Sequence, residues 1–290
     1  MSAARAIGLL LGAAADGVIS EPKRRARLFD GKRGFVVAGA ALVTGACVER
    51  MGRRAPVAQA FGTAVATWAV LGGASLAVDG TALARDLEDG ELGSARHTLA
   101  HLDTRRSSGL DVIGLSRASV EYVARHTSNA VVGPMFWGAV AGIPGLVAAR
   151  ALAVLRGRGI PFAGIDDLVN LAPTRVAAAL TVAAAPVVGG SASGAWRAWR
   201  RDTIAHPKPN EGRVEAAFAG ALEIRLGGRT VYPHGVRERP VLGDGRNPDA
   251  GHVTRAVELS RVIGWLTAVS SAVLAALLGL RRSRSRSRSR

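Results

Sequence analysis

The sequence predicts an all-α, polytopic integral membrane protein, and three observations carry that expectation. Hydrophobic residues fill 48% of the 290 positions, and the mean hydropathy is positive at +0.19. Aromatic residues contribute only 4%, so the apolar excess is Ala, Val, Leu and Gly, whose small side chains let membrane helices approach closely. Several apolar runs also reach the roughly 17 to 25 residues needed to cross a hydrocarbon core of about 30 Å. No Ser/Pro/Gly-rich linker divides the chain. Residues 1–280 are therefore expected to form one domain, and the Arg/Ser repeat at 281–290 a disordered tail.

Residues 6–19 follow Arg5 and imitate a secretory signal. Asp16 interrupts the run, however, and the basic stretch after it lacks a small-residue cleavage pattern, which makes the segment a retained first membrane helix. Residues 34–48 and 176–190 are shorter, so each is a tilted span, a re-entrant segment or a buried helix. Residues 56–78 are uncharged. Residues 130–155 are long enough despite Pro134, Pro144 and Arg150, because neighbouring helices can satisfy the backbone groups that proline frees. Residues 262–280 carry no charge and are closed by Arg281 and Arg282. Four or five crossings follow. Basic loops at 21–33 and 49–54 flank residues 34–48 on both sides, so charge gives no orientation there.

The formal net charge is +16, of which the tail supplies six positive charges. An Arg-Ser repeat can bind RNA or anionic lipid through phosphates, but no nucleic-acid-binding fold precedes it, and no nucleic-acid partner is expected. Cys47 is the single cysteine, which removes disulfide frameworks and cysteine metal sites. The six histidines contain no HExxH pair, and Gly31-Lys32 continues into Arg33 rather than a phosphate-loop hydroxyl.

Three polar clusters interrupt the apolar background. Residues 90–129 read as two amphipathic helices joined by a loop at 103–111. On the second helix Glu121 and Arg125 stand four apart, either as a solvated pair or as part of a site. Thr127, Ser128 and Asn129 then precede an apolar run, where hydroxyl and amide groups cap a helix or bind a ligand. The second cluster holds Asp166 and Asp167, then Asn170, Pro173 and Arg175. Adjacent carboxylates diverge on a helix; either can hold hydrated Mg²⁺ with a substrate phosphate, or both can simply make an acidic first turn. The third cluster lies in the proline-punctuated stretch 201–228 and brings Asp202, His206, Lys208, Asn210 and Glu215. Here a histidine is a general base or a donor to a carbonyl, and a lysine neutralises phosphate or solvates a loop. Charges set against small-residue membrane helices are functional candidates.

In this order and spacing the clusters resemble the CobD/CbiB family, the membrane adenosylcobinamide-phosphate synthases of cobalamin biosynthesis, from about residue 90 to 258. Val120-Glu121-Tyr122-Val123-Ala124 with Thr127-Ser128 matches one family segment, and Asp166, Asp167, Asn170, Pro173 and Arg175 match a second. Pro209-Asn210-Glu211-Gly212, Glu215 and Arg225-Leu226-Gly227-Gly228 match a third. Arg125 and His126 stand where the family pattern has Glu and Asn, and Asn129 where it has Asp.

The resemblance implies amide formation, with ATP and Mg²⁺, between a cobyric acid side-chain carboxylate and aminopropanol or its phosphate. The implied partners are the corrinoid, the amine and the lipid bilayer. It assigns His206, Glu215 and Asn210 to catalysis, Glu121, Thr127, Ser128, Arg175 and Lys208 to substrate and phosphate, and Asp166 and Asp167 to the metal. A shared substrate requires residues 90–129 and 201–254 to form one polar site. Restoring negative charge through Arg125→Glu with His126→Asn is expected to raise activity. The competing expectation is a noncatalytic membrane protein that keeps the scaffold.

Overall fold

The computed structural model describes residues 2–18, 43–47, 49–50, 55–156, 163–233 and 235–288, with side chains excepted at 2, 154–156, 163, 165–166 and 282–288. It is 80% helical. The described elements are α1 (Ser2–Val18), α2 (Pro56–Val70), α3 (Gly73–Glu88), α4 (Leu92–Leu102), α5 (Val112–His126), α6 (Gly133–Ala141), α7 (Ile143–Arg156), α8 (Ala163–Ala184), α9 (Ala192–Asp202) and α10 (Pro209–Leu222). An antiparallel hairpin, β1 (Leu226–Tyr232) with β2 (Gly235–Leu242), and the long helix α11 (Ala250–Arg288) complete the order.

Among the described residues, three helical stretches are long and apolar enough to cross a membrane: Pro56–Glu88, Asp167–Val188 and Ala250–Arg281. Two of them contain the expected runs 56–78 and 262–280, and the third absorbs 176–190. The candidate span at 34–48 lies outside the described residues apart from 43–47. The run 130–155 is a different structure from the one expected. Gly142, at φ 73° and ψ −152°, breaks it into α6 and α7, because glycine takes that conformation without a Cβ penalty. The hairpin departs from an all-α fold; Val231 and Tyr232, the turn beginning at Pro233, and Gly235 supply its strand and turn chemistry. The helix α11 also continues through the Arg/Ser repeat to Arg288.

The chain clusters into two compact units. One comprises Met1–Ser75, Asn129–Asn170 and Gly264–Arg290, the other Leu76–Ser128 and Leu171–Ile263. Every division falls inside a continuous helical stretch, so no linker composition marks it.

In the first unit α1 packs on α2 through a small-residue seam. A Cβ on Gly8 would stand 2.6 Å from the Ala60 carbonyl oxygen, and one on Gly12 would stand 2.5 Å from that of Ala64. The four-residue spacing of these glycines lets the backbones approach, with Thr63 and Thr67 buried opposite. Leu9, Val70, Leu71, Met135, Leu146 and Ala268 contribute to one apolar core. Two acids of this unit serve helix ends: buried Asp16 accepts from the Ala74 N–H at 3.1 Å, and Glu49 accepts from the Ile143 N–H at 3.3 Å while pairing with Arg5. Asp16, which breaks the signal-like run, is thus a cap for α3.

In the second unit α10 is buried continuously from Gly212 to Leu222. Its small residues allow α9 alongside: a Cβ on Gly220 would meet the Gly194 carbonyl oxygen at 2.2 Å, and one on Gly194 would meet that of Gly220 at 2.6 Å. Helices α3, α5 and α11 converge at Gly80, where a Cβ would stand 2.5 Å from Val257 and 3.4 Å from Val123.

Candidate active site

The second unit gathers three carboxylates and three guanidiniums from a loop, two helices and a strand. Glu121 on α5 and Glu215 on α10 are both fully buried. Asp103 and Arg105 come from the loop after α4, Arg125 from the last turn of α5, and Arg239 from β2. Arg239 donates through Nη1 to Glu121 Oε2 at 2.6 Å and through Nη2 to Glu215 Oε2 at 2.5 Å. Arg105 donates to Glu121 Oε2 at 2.8 Å and pairs through Nε with Asp103 at 3.0 Å. Arg125 reaches Asp103 at 2.5 Å and Glu215 at 3.5 Å. The Gly227 N–H donates to Glu121 Oε1 at 2.7 Å. Three formal charges of each sign cancel, which is what makes such burial tolerable.

The two buried glutamates are driven apart in proton affinity. Burial works against ionisation of Glu121, but Arg105, Arg239 and Arg125 outweigh it, with help from the Gly227 N–H, and hold its pKa at about 2. Burial also raises Glu215, and the charge of Glu121 adds to the rise; Arg125 and Arg239 offset only part, leaving it at about 7. Asp103 is likewise desolvated, yet Arg125 and Arg105 hold it below the usual carboxylate range. A pair of carboxyls separated in this way can supply one fixed anion and one proton acceptor near neutrality.

His206 sits against α10 because Gly212 lacks a side chain; a Cβ there would lie 2.4 Å from His206 Cβ. Its Nε2 is 3.0 Å from Arg239 Nη2, a group that can only donate, so Nε2 accepts. The proton then belongs on Nδ1, which donates to the Lys208 carbonyl at 2.8 Å. Burial lowers the imidazole pKa, and the Arg239 charge reinforces this against the Lys208 carbonyl. With its lone pair committed to Arg239, His206 orients the guanidinium shared by both glutamates.

Asn210 belongs to a neighbouring group within the same unit. Arg213, itself buried, donates to Asn210 Oδ1 and to Thr174 Oγ1, both at 3.0 Å. Burial and the proximity of Arg175 lower the Arg213 pKa. Arg175 is exposed and donates to the Leu171 carbonyl at 2.7 Å. Lys208 is exposed and stands 3.4 Å from Glu211. Thr127 donates to the Val123 carbonyl at 2.7 Å and its Oγ1 lies 2.7 Å from Ser260 Oγ, from which it can accept, in a π-helical turn spanning Thr127–Val132, an irregularity common at functional sites. The buried hydroxyls of Ser116, Ser119 and Ser128 and Nη2 of Arg105 have no hydrogen-bond partner among the described residues.

Glu121, His206 and Glu215 are therefore brought together, and the regions 90–129 and 201–254 do meet in one polar site. The solvated Glu121–Arg125 pair does not form: Glu121 is buried against Arg105 and Arg239, and Arg125 turns to Asp103 and Glu215. Asp103, Arg105, Arg213 and Arg239 went unrecognised as candidates in the sequence. Asp167 is an exposed carboxylate near the start of α8, a donor type that suits hydrated Mg²⁺ shared with phosphate; the side chain of Asp166 lies outside the described residues. No group of three or more potential metal-ligating His, Cys, Asp or Glu residues occurs among the described residues.

Membrane-length apolar helices and a sealed, charge-balanced ionic cluster define a helical membrane protein with a polar site built inside one unit. The chain belongs to the CobD/Cbib protein family, whose model matches residues 5–260. It is 42% identical over 310 aligned positions to the cobalamin biosynthesis protein CobD of Mycobacterium tuberculosis (strain ATCC 25618 / H37Rv), covering 96% of this chain and 97% of that one. Proteins of the same name from Geobacter metallireducens and Pelobacter propionicus are 34% and 33% identical, covering 77% and 84% of this chain and 74% and 79% of theirs. No solved structure matches.

Proposed function

We propose that this protein acts in cobalamin biosynthesis as a membrane-bound carbon–nitrogen ligase, joining a cobyric acid side-chain carboxylate to aminopropanol or its phosphate with consumption of ATP. The observation that carries this reading is the convergence on Arg239 of Glu121 and Glu215, residues from separate segments that resemble the family pattern. A carboxylate is a poor acyl donor, so transfer of the γ-phosphoryl group of ATP activates it as an acyl phosphate with release of ADP, and attack by the amine then expels phosphate. Glu215, poised near neutrality, takes the proton that the amine must lose, while Glu121 stays anionic and fixes Arg105 and Arg239. His206 orients Arg239. Arg213, with Asn210 and Thr174 as neutral partners, and Arg175 and Lys208 provide charge for phosphate. Thr127 and Ser128 offer hydroxyls to substrate. Mg²⁺, when bound through Asp166 and Asp167, would neutralise phosphate charge. The same reading keeps four or five membrane crossings, three of them the long apolar helices.

The test is growth of a strain that lacks its own coupling enzyme, supplied with cobyric acid under corrinoid-dependent conditions. Rescue by the wild type, abolished by Glu215→Gln and by Asp167→Ala at equal membrane expression, is the expected result. Failure of well-expressed wild type to rescue would favour a noncatalytic scaffold.

A further inference from the structure

Beside the ionic cluster, at the base of the hairpin, lies a cavity of about 330 Å³ lined by Arg117, Arg225, Gly227, Gly228 and Asn247, among others. Its charge is one-sided. Two guanidiniums face it, and no carboxylate is among its lining residues. Among the described residues, the Arg117 side chain donates a single hydrogen bond, to the Gly227 carbonyl at the long distance of 3.5 Å. The side chains of Arg225 and Asn247 have no hydrogen-bond or ion-pair partner among the described residues. This is the reverse of the neighbouring cluster, where every guanidinium meets a carboxylate.

The backbone keeps the space open. Gly227 and Gly228 have φ of 81° and 76°, conformations that glycine adopts without the steric penalty of a side chain. A Cβ on Gly228 would stand 3.8 Å from Arg117 Nη1, so a longer side chain there would crowd the guanidinium. Gly227 also ties the cavity to the site, because its N–H is bonded to Glu121 while its carbonyl faces Arg117. The volume suits a small molecule, near the lower end of ligand pockets, and is too small to enclose a corrinoid ring. Paired guanidiniums with an amide are the donor set for a phosphate dianion.

We propose that this cavity binds the phosphate of a small phosphate monoester through Arg117 and Arg225, with Asn247 as a further donor. The inference rests on the coupling reading only for the ligand's identity, which would be the phosphorylated amino alcohol. The binding itself needs no turnover.

The experiment is calorimetric titration of the full-length protein in phosphate-free, uncharged detergent with inorganic phosphate, 1-amino-2-propanol phosphate and unphosphorylated 1-amino-2-propanol. A parallel arm places the protein in phosphatidylcholine nanodiscs with or without phosphatidic acid. The wild type is expected to bind the two phosphates, more weakly as salt rises, and not the free amine. Arg117→Gln and Arg225→Gln are each expected to weaken binding roughly tenfold or more, while Arg229→Gln on the exposed face of β1 leaves it unchanged. A thermal melt of each variant checks folding; the exposed Arg225 is the variant least coupled to the fold. If phosphatidic acid competes with soluble phosphate through Arg225, the phosphate site stands with a lipid as its source. Affinity retained in both arginine variants, or no phosphate binding in either arm, overturns the proposal. Phosphate binding by a protein that fails to couple would overturn the coupling reading alone.

Discussion

Arg239 Nη2 lies 2.5 Å from Glu215 Oε2, although one residue enters from a strand and the other from a helix, and the two side chains retain only 9% and 0% of their exposure. The same guanidinium reaches Glu121. A single planar cation therefore fastens the hairpin to both helices that carry the buried acids, a task for which the forked geometry of arginine is suited.

Removing that cation leaves buried anions incompletely compensated. Arg239→Ala is expected to destabilise the second unit by about 3–5 kcal/mol, read as a lowered midpoint of thermal unfolding in detergent. Arg239→Lys is expected to recover only part of the loss, since an ammonium cannot present the same two-pronged contact. An unchanged midpoint for the alanine variant would contradict the proposed role.

The pH dependence has a defined sign. Glu215 titrates at about 7 when folded, against a reference of 4.5. Between these values the unfolded chain has released a proton that the folded chain keeps, so this residue's contribution to stability declines as pH rises through the window. Glu121, held at about 2, contributes in the opposite sense: its stabilisation is present above 4.5 and is lost as pH falls toward 2. Melting curves from pH 4 to 8 are expected to show a downward Glu215 component that Glu215→Gln abolishes. If Glu215 is the proton acceptor, coupling has an acidic limb near pH 7.

Arg125→Glu with His126→Asn, expected from the sequence pattern to raise activity, is now expected to lower it. Arg125 meets Asp103 at 2.5 Å and Glu215 at 3.5 Å. Reversal changes the cluster from three charges of each sign to four negative and two positive. Lower folded yield and lower coupling are the predicted outcomes, measured by size-exclusion recovery and amide formation. Turnover above wild type, with normal folding, would reinstate the sequence expectation.

Gly12→Val tests the seam between α1 and α2. Its Cβ would enter the space 2.5 Å from the Ala64 carbonyl oxygen, a backbone atom that a rotamer change cannot move. A loss of about 1–3 kcal/mol or more is expected, seen as a lowered melting midpoint and reduced membrane yield. The change Val57→Ala at an exposed α2 position serves as the mild comparison.

Much of the helical architecture is legible because long uncharged runs have few alternatives. The break at Gly142 is less so, since a glycine in an apolar run looks the same whether it packs in a helix or ends one. Glu121, His206 and Glu215 stand out as polar residues amid small apolar ones. Arg239 does not: in the run from Arg237 to Pro240, charge looks like an exposed strand edge, and only the hairpin register turns it toward two acids 24 and 118 residues away. The partners of Arg125 are hidden for a related reason. Helical spacing places it beside Glu121, but tertiary packing supplies each residue with other partners. The two-unit division leaves no compositional trace because its boundaries lie within helical stretches.

The 118-residue interval between Glu121 and Arg239 also orders events during synthesis. At about 5–20 residues per second, roughly 6–24 s separate their emergence. During that interval Glu121 lacks both the strand cation and the Gly227 N–H, so the nascent chain cannot seal this carboxylate as the finished protein does. Chains arrested before residue 239 are expected to leave this unit open to protease, whereas release past the hairpin closes it. Maturation of the site thus belongs to the closing stage of biogenesis, after the helices bearing its two buried acids have already been made.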